Sequence, residues 1–279
     1  MRVVVHGATG AQGGPVAEKL TEQGVDVVRV SRHAGPSNLR ADLDEPDSME
    51  AAYRGADGVF FHFPLGTAPE RERRWVETVA AAARTAGVGQ VVVSTSGRRQ
   101  GTPAAKSVDL LVDRLRILGI TTTVLAPLYY LENLLLPPVL AGVRDDSELR
   151  YPISDTVAMS WTSHLDVADA AAAVFTQGAE APALVAVGQL PPLRGADLAA
   201  GFSVRAGRPI RFVPIAPIDF GHEMAPIIGA QAAKSVAAGY ESIAAATEIA
   251  FPEGNSAAAL LGLKPRNVDD WLEELDVPL

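Results

Sequence analysis

The stretch Arg2-Val3-Val4-Val5-His6-Gly7-Ala8-Thr9-Gly10-Ala11-Gln12-Gly13 decides the fold of this chain. Three consecutive β-branched valines read as a buried strand over residues 2–6. Three glycines follow at GxxGxxG spacing, and residues 12–23 then carry a helical pattern closed by Gly24. In such a strand–turn–helix unit Gly7 permits the tight turn, Gly10 lets backbone N–H groups approach a pyrophosphate, and Gly13 lets helix and strand pack closely. A glycine triplet also serves ordinary turns. Its place between a first strand and a first helix is what points to a bound dinucleotide.

Working outward, valine-rich strands at 26–30, 58–63, 90–95 and 121–126 alternate with helices at 48–54, 70–86 and 102–118. In the 70–86 helix Trp75, Val79, Ala82, Ala83 and Ala86 share a face and Gly87 ends it. Thr102 and Pro103 read as N-cap and first residue of the next helix. This alternation predicts a parallel sheet covered on both faces. Past Pro127 the pattern loosens. Residues 128–140 read as helical up to Pro137-Pro138, 157–161 as a strand, 165–177 as a helix and 184–187 as a strand. A helix at 195–206, a strand at 209–213, mostly helix over 217–250 and a last helix at 265–275 complete the reading. The predicted fold is α/β: a Rossmann-type doubly wound parallel sheet over residues 1–150, with a smaller α+β substrate lobe over 151–279, some of whose segments return to the first domain.

Composition narrows the function. With 33 acidic against 24 basic residues, a net charge of −9, the chain lacks the basic face that nucleic-acid binding needs. It has no cysteine, which excludes disulfides, thiolate nucleophiles and cysteine-based metal sites. His6, His33, His62, His164 and His222 form no pair at ligand spacing, so no metal is expected. No apolar run reaches spanning length and no secretory signal precedes the first strand, so a cytoplasmic protein is expected; abundant arginine and alanine suggest a bacterial source.

The end of the second strand selects the dinucleotide. An acid there would hold the ribose hydroxyls of NAD, whereas a basic residue accommodates a 2′-phosphate. The chain has Ser31-Arg32-His33, and Asp26 lies at the wrong end of that strand. Ser31 and Arg32 can clasp a phosphate, which predicts NADP(H) over NAD(H); the alternative is a solvated surface arginine. The chemistry is less legible. Short-chain dehydrogenases pair Tyr and Lys four residues apart, but Tyr53, Tyr129, Tyr130, Tyr151 and Tyr240 are followed at that spacing by Asp57, Asn133, Leu134, Asp155 and Ala244. Ser94-Thr95-Ser96-Gly97 lacks a nucleophile elbow. Arg71, Arg73 and Arg74, interleaved with Glu70 and Glu72, read as a solvated helix face, and Asp166 with Asp169 as caps or solvated groups at a helix start.

The glycine loop, Arg32, the run ADLDEPDSMEAAYRGADGVFF (41–61), Lys106 and the segment LAPLYYLENLL (125–135) together resemble the NmrA-like family of atypical short-chain dehydrogenase/reductases. The resemblance implies that Gly7, Thr9, Gly10, Ala11, Gln12 and Gly13 hold a pyrophosphate, that Arg32 meets a 2′-phosphate, and that Asp42 and Leu43 flank the adenine. It places His62, Phe63 and Pro64 over the adenine ribose, and Ser94, Thr95 and Lys106 at the nicotinamide ribose. Tyr129, Tyr130, Glu132 and Asn133 would cover the nicotinamide and open a substrate pocket, walled further by Phe220, Met224 and Ile227. No catalytic acid or base is assigned; Lys106 is the one candidate. Two functions follow. One is an NADPH-dependent reductase of a quinone or other conjugated or aromatic acceptor. The other is a non-catalytic NADP(H) sensor that binds a protein partner. A homodimer is compatible with either.

Overall fold

The computed structural model describes every residue except Leu65 and Gln100. In chain order the elements are β1 (Arg2–His6), α1 (Gly13–Glu22), β2 (Asp26–Ser31), β3 (Leu39–Arg40), α2 (Pro46–Tyr53), β4 (Gly58–His62), α3 (Pro69–Ala86), β5 (Gln90–Ser94), α4 (Lys106–Ile117) and β6 (Thr121–Pro127). Then come β7 (Tyr129–Tyr130), α5 (Pro137–Ala141), β8 (Glu148–Tyr151), β9 (Ala158–Met159), β10 (Trp161–Thr162), α6 (His164–Gln177), β11 (Leu184–Val187) and α7 (Gly195–Ala206). The chain ends through β12 (Arg211–Pro214), α8 (Pro217–Ile228), α9 (Ala230–Glu241), β13 (Glu248–Ile249), α10 (Ala257–Leu261) and α11 (Val268–Glu274).

One compact unit comprises Met1–Leu128, His164–Val187 and Glu253–Lys264. It holds a seven-stranded parallel sheet in the order β11-β6-β5-β4-β1-β2-β3. Side chains alternate across it. Val4, Val59, Phe61, Val91, Val93 and Val124 join the α2, α3 and α4 residues Met49, Tyr53, Trp75, Val79, Leu111 and Leu115 in one buried cluster. On the other face Phe175 of α6 packs over Gly58, where a Cβ would lie 2.8 Å from its ring. Strand order runs outward both ways from the β1–β4 pair, so the topological switch lies there. Ligands of open α/β sheets settle in the crevice beyond the strand ends at such a point.

The first-unit strands and helices read from the sequence are present to within a few residues at their ends, while β3 and α10 have no counterpart in that reading. Gly87 closes α3 with φ 72°, the left-handed geometry that a Cβ disfavours. The pair Asp166 and Asp169 departs from its solvated reading. Asp166 is buried, and Asp169 pairs at 2.8 Å with Lys19, joining α6 to α1.

The second unit comprises Tyr129–Ser163, Gly188–Pro252 and Pro265–Leu279. Its first segment begins at Tyr129, so the first domain ends earlier than residue 150. Three two-stranded parallel pairs, β7–β10, β8–β12 and β9–β13, frame it. Tyr151 packs against Trp161, Phe220 and Tyr240 with ring centroids 5.4–5.6 Å apart. One expectation is corrected here. Residues 128–140 are not one helix that prolines end: β7 and a 3₁₀ turn come first, and Pro137 and Pro138 open α5. Proline needs no N–H partner in a first turn and arrives with a helical φ. Residues 217–250 are mostly helical as expected, in α8 and α9, with the short strand β13 near the end. Among the described residues no helix is long and apolar enough to cross a membrane.

Gly13 is the glycine pressed most tightly against backbone atoms. A Cβ there would lie 2.3 Å from the His6 carbonyl oxygen and 2.5 Å from that of Gly7. Gly13→Ala should therefore destabilise the protein by about 2 kcal/mol or more, while Gly14→Ala, whose Cβ would meet nothing nearer than 3.7 Å, should be neutral or stabilising; urea unfolding of both variants checks this contrast.

Candidate functional site

At the switch point the turn after β1 meets the end of β4. Gly7 has φ 63°, and a Cβ on it would lie 2.7 Å from His62 Nε2. Gly10 N–H donates to the Gly7 carbonyl at 2.8 Å, and Gly14 N–H to Gly10 at 3.0 Å, which winds the loop into α1. First-turn amides of a helix have no intrahelical carbonyl to meet, and the helix dipole adds positive potential there. A cavity of about 750 Å³ opens at this turn, within the roughly 300–1,000 Å³ usual for small-molecule sites. Gly7, Thr9, Gly10, Ser31, Arg32, Asp42, Leu43, His62 and Pro64 all line it. Glycines where a Cβ would intrude, a helix start and a cationic rim fit a pyrophosphate-linked dinucleotide.

The cations at the rim differ in their partners. Arg32 is exposed and makes no ion pair among the described residues. Arg40 donates to both Glu45 oxygens at 2.5 Å. Arg71 donates through Nε to Asp44 at 3.0 Å, and these bonds hold the Asp44 carboxyl below its ordinary range. The Ser31 hydroxyl donates to the His33 carbonyl at 2.5 Å, shaping the turn that carries Arg32.

Of the expected first-unit residues, Ala11, Gln12, Gly13, Phe63, Ser94, Thr95 and Lys106 sit apart from the cavity lining. Phe63 is buried with its ring edge-on to Phe61. Ser94 and Thr95 are buried. Ser94 Oγ donates to Gln12 Oε1 at 2.5 Å, Gln12 Nε2 donates to Ser96 Oγ at 3.0 Å, and Ser96 N–H returns to Ser94 Oγ at 3.2 Å. This closed ring ties the glycine loop to the end of β5. Thr95 Oγ1 is buried with no partner among the described residues.

Lys106 is exposed as the first residue of α4, in a separate recess of about 240 Å³ shared with Glu72, Arg73 and Arg98. The Thr102 expectation is corrected. Its hydroxyl donates to the Arg99 carbonyl at 2.5 Å instead of capping, and a 3₁₀ turn precedes α4. The solvated reading of α3 is corrected too. Glu72 and Arg98 form a bidentate pair at 2.8 and 3.3 Å with side chains 6% and 13% exposed. Arg98 also donates to the Pro64 carbonyl at 3.4 Å, so the pair braces the loop after β4.

Sequence reasoning missed Arg71 and Trp75 as cavity residues. The available signal was position: the first turns of α3 follow the loop leaving β4, at the strand ends where the crevice lies. Tyr129, Tyr130, Asn133, Phe220, Met224 and Ile227 belong to the second unit. There Tyr129 and Tyr130 are half-buried, Phe220 and Met224 are core residues, and Ile227 is 47% exposed. Among the described residues no group of three or more His, Asp or Glu could hold a metal.

His6 and His62, which line the cavity, and His164 at the start of α6 are held neutral. Burial, with the nearby His62 adding to it, takes His6 down to about 3, where its Nε2 shares a 2.8 Å hydrogen bond with the Tyr53 hydroxyl. Burial takes His62 and His164 down to about 4, the Phe63 carbonyl working the other way on His62.

Residues 1–272 match the model of the NmrA-like family. The chain is 30% identical over 231 residues to an NAD(P)H azoreductase of Xenophilus azovorans, covering 76% of this chain and 77% of that protein. Among solved structures it superposes on Citrobacter sp. triphenylmethane reductase complexed with NADP(H), with TM-score 0.80, 18% identity and 98% and 99% of the two chains covered. An NADPH-dependent quinone oxidoreductase of Escherichia coli gives TM-score 0.73 at 18% identity, covering 99% and 100%. At those identities the structural likeness establishes the fold.

Arg98→Met strands the Glu72 carboxylate and should cost on the order of 3 kcal/mol, most of it recovered in the Glu72→Gln/Arg98→Met double variant, as read by denaturant melts. The three neutral histidines must stay unprotonated in the folded state, whereas the unfolded chain binds protons below about 6.5. Their contribution is complete above that pH and is lost as pH falls towards 4. Melting temperature should be level near pH 7–8 and drop between pH 6.5 and 4.5, with a shallower drop in His6→Gln.

Proposed function

The chain belongs to the NmrA-like family, and on that premise we propose that it is an NADPH-dependent reductase of small conjugated or aromatic acceptors, a quinone or an azo compound being the simplest members of the class. The observation that carries the reading is the cavity at the β1–β4 switch, with the glycine loop at its base and Arg32 free of any carboxylate at its rim among the described residues. The Gly7–Gly13 loop and the start of α1 would hold the pyrophosphate, Arg32 the 2′-phosphate, and Asp42 and Leu43 the adenine side. Bound nicotinamide supplies a hydride. Lys106, exposed and carrying three donors, is assigned to the ribose hydroxyls. Tyr129, Tyr130 and Asn133 are assigned to the acceptor. The azoreductase relative acts with NAD(P)H by its name, and the reductase and quinone oxidoreductase folds point to the same class of chemistry.

Such an acceptor accounts for a chain with no Tyr-x-x-x-Lys pair. Adding hydride to a quinone or azo group yields an oxygen or nitrogen anion that water can protonate, so no phenol of lowered pKa is required. Tyr151 and Tyr240 could not serve readily in that role, since burial raises both hydroxyls, Tyr240 to about 12.

NADPH oxidation measured across a panel of quinones, azo compounds and triarylmethane dyes tests the reading. Turnover with at least one class is expected. NADPH binding with no turnover across the panel would leave a cofactor sensor instead. The same titrations should show NADPH bound more tightly than NADH. Arg32→Ala should weaken NADPH about 10- to 100-fold, the worth of a charge-assisted contact, and change NADH by less than twofold; equal wild-type affinities would refute the phosphate assignment.

A further inference from the structure

Arg71 and Trp75 line the dinucleotide cavity from α3 and have no part in the reading above. Their arrangement is specific. Asp44 accepts from Arg71 through Nε at 3.0 Å and through Nη2, and its other oxygen accepts from Trp75 Nε1 at 2.8 Å. The Arg71 guanidinium carbon lies 5.0 Å from the centre of the Trp75 ring. Trp75 itself is 5% exposed, while the Arg71 side chain is 49% exposed. Arg71 is thus neutralised along one edge, backed by an indole and open elsewhere. It is a poor candidate for a phosphate ligand, because its charge already has a carboxylate. Its planar face is a good surface for a flat, electron-rich ring, since guanidinium planes and aromatic rings both stack nucleobases. Ala41 and Leu43, both buried, supply apolar lining to the same cavity.

We infer that Arg71, backed by Trp75 and held by Asp44, is the stacking platform for the purine base of the dinucleotide, a role separate from the anion-binding role of Arg32. The inference rests on the dinucleotide reading. It divides the work between two arginines according to their partners: the one without a carboxylate binds charge, and the one with a carboxylate presents a plane.

The test uses fragments. Adenosine 2′,5′-bisphosphate carries the base, and reduced nicotinamide mononucleotide lacks it. Wild type, Arg71→Leu and Arg71→Lys are titrated with each and with NADPH by calorimetry, and their folding is checked by thermal melting. Lysine keeps the charge and can still pair with Asp44, but it has no planar face. Both variants should bind the bisphosphate about tenfold more weakly and the mononucleotide within twofold of wild type. The bisphosphate should also quench tryptophan emission in wild type, and the quench should vanish in Trp75→Phe. Asp44→Asn, which keeps the guanidinium but loosens its anchor, should fall between wild type and Arg71→Leu. An Arg71→Lys protein that binds the bisphosphate like wild type overturns the stacking role, since charge would then suffice. Unchanged affinity in both Arg71 variants, with NADPH still bound, overturns the platform and leaves the dinucleotide reading standing. A wild-type protein that binds neither NADPH nor either fragment overturns both.

Discussion

The first unit depends on how closely α1 approaches the turn that leaves β1. At Gly13 the helix backbone comes so near the His6 and Gly7 carbonyls that a single methyl group has no room. At Gly7 the turn takes a left-handed φ and passes over the His62 ring. These contacts set the direction of α1, and so the direction of the positive end of its dipole. They also fix the base of the cavity at the point where strand order reverses. Hydrophobic burial assembles the sheet, but this contact is what leaves an anion-sized space at its end.

Around that point polar side chains act as braces. Gln12, Ser94 and Ser96 lock the glycine loop to the end of β5 with three short bonds. Glu72 and Arg98 reach from α3 to the loop after β5, and Arg98 continues to the Pro64 carbonyl. Each is a partly or fully desolvated group that would be costly alone and is stable because its partner is supplied by a different loop. Such braces hold loops in one geometry, which apolar packing at a sheet edge does poorly. Residues expected to touch a cofactor, Gln12 and Ser94 among them, thereby also shape the site.

The second unit has a different logic. Its strands are short and occur in three separate parallel pairs, and its core is aromatic: Tyr151, Trp161, Phe220 and Tyr240 in mutual contact. The Tyr151 and Tyr240 hydroxyls bond each other inside that cluster. Phe220, read from the sequence as a pocket wall, belongs to this core, and Met224, read the same way, is also buried; for large apolar groups burial is favoured over exposure to a pocket.

The parallel sheet, the glycine loop, the helix ends at Gly24 and Gly87, and Arg32 at the end of β2 are legible in the residues alone. All of these are local: the residue type, its neighbours in the chain and a period of two or of 3.6 carry the information. Which charged residues are solvated depends on the assembled fold. Arg71 and Glu72 are adjacent in α3 and read alike, yet one lies in the cavity against Trp75 and the other is buried under Arg98. Their partners, Asp44 and Arg98, stand 27 and 26 residues away in the chain. The same holds for Asp169 with Lys19, and for Thr102, whose hydroxyl found a nearer carbonyl than the helix it was placed to cap. A charge's environment is set by what the fold brings beside it, and the sequence pattern around it does not encode that neighbour.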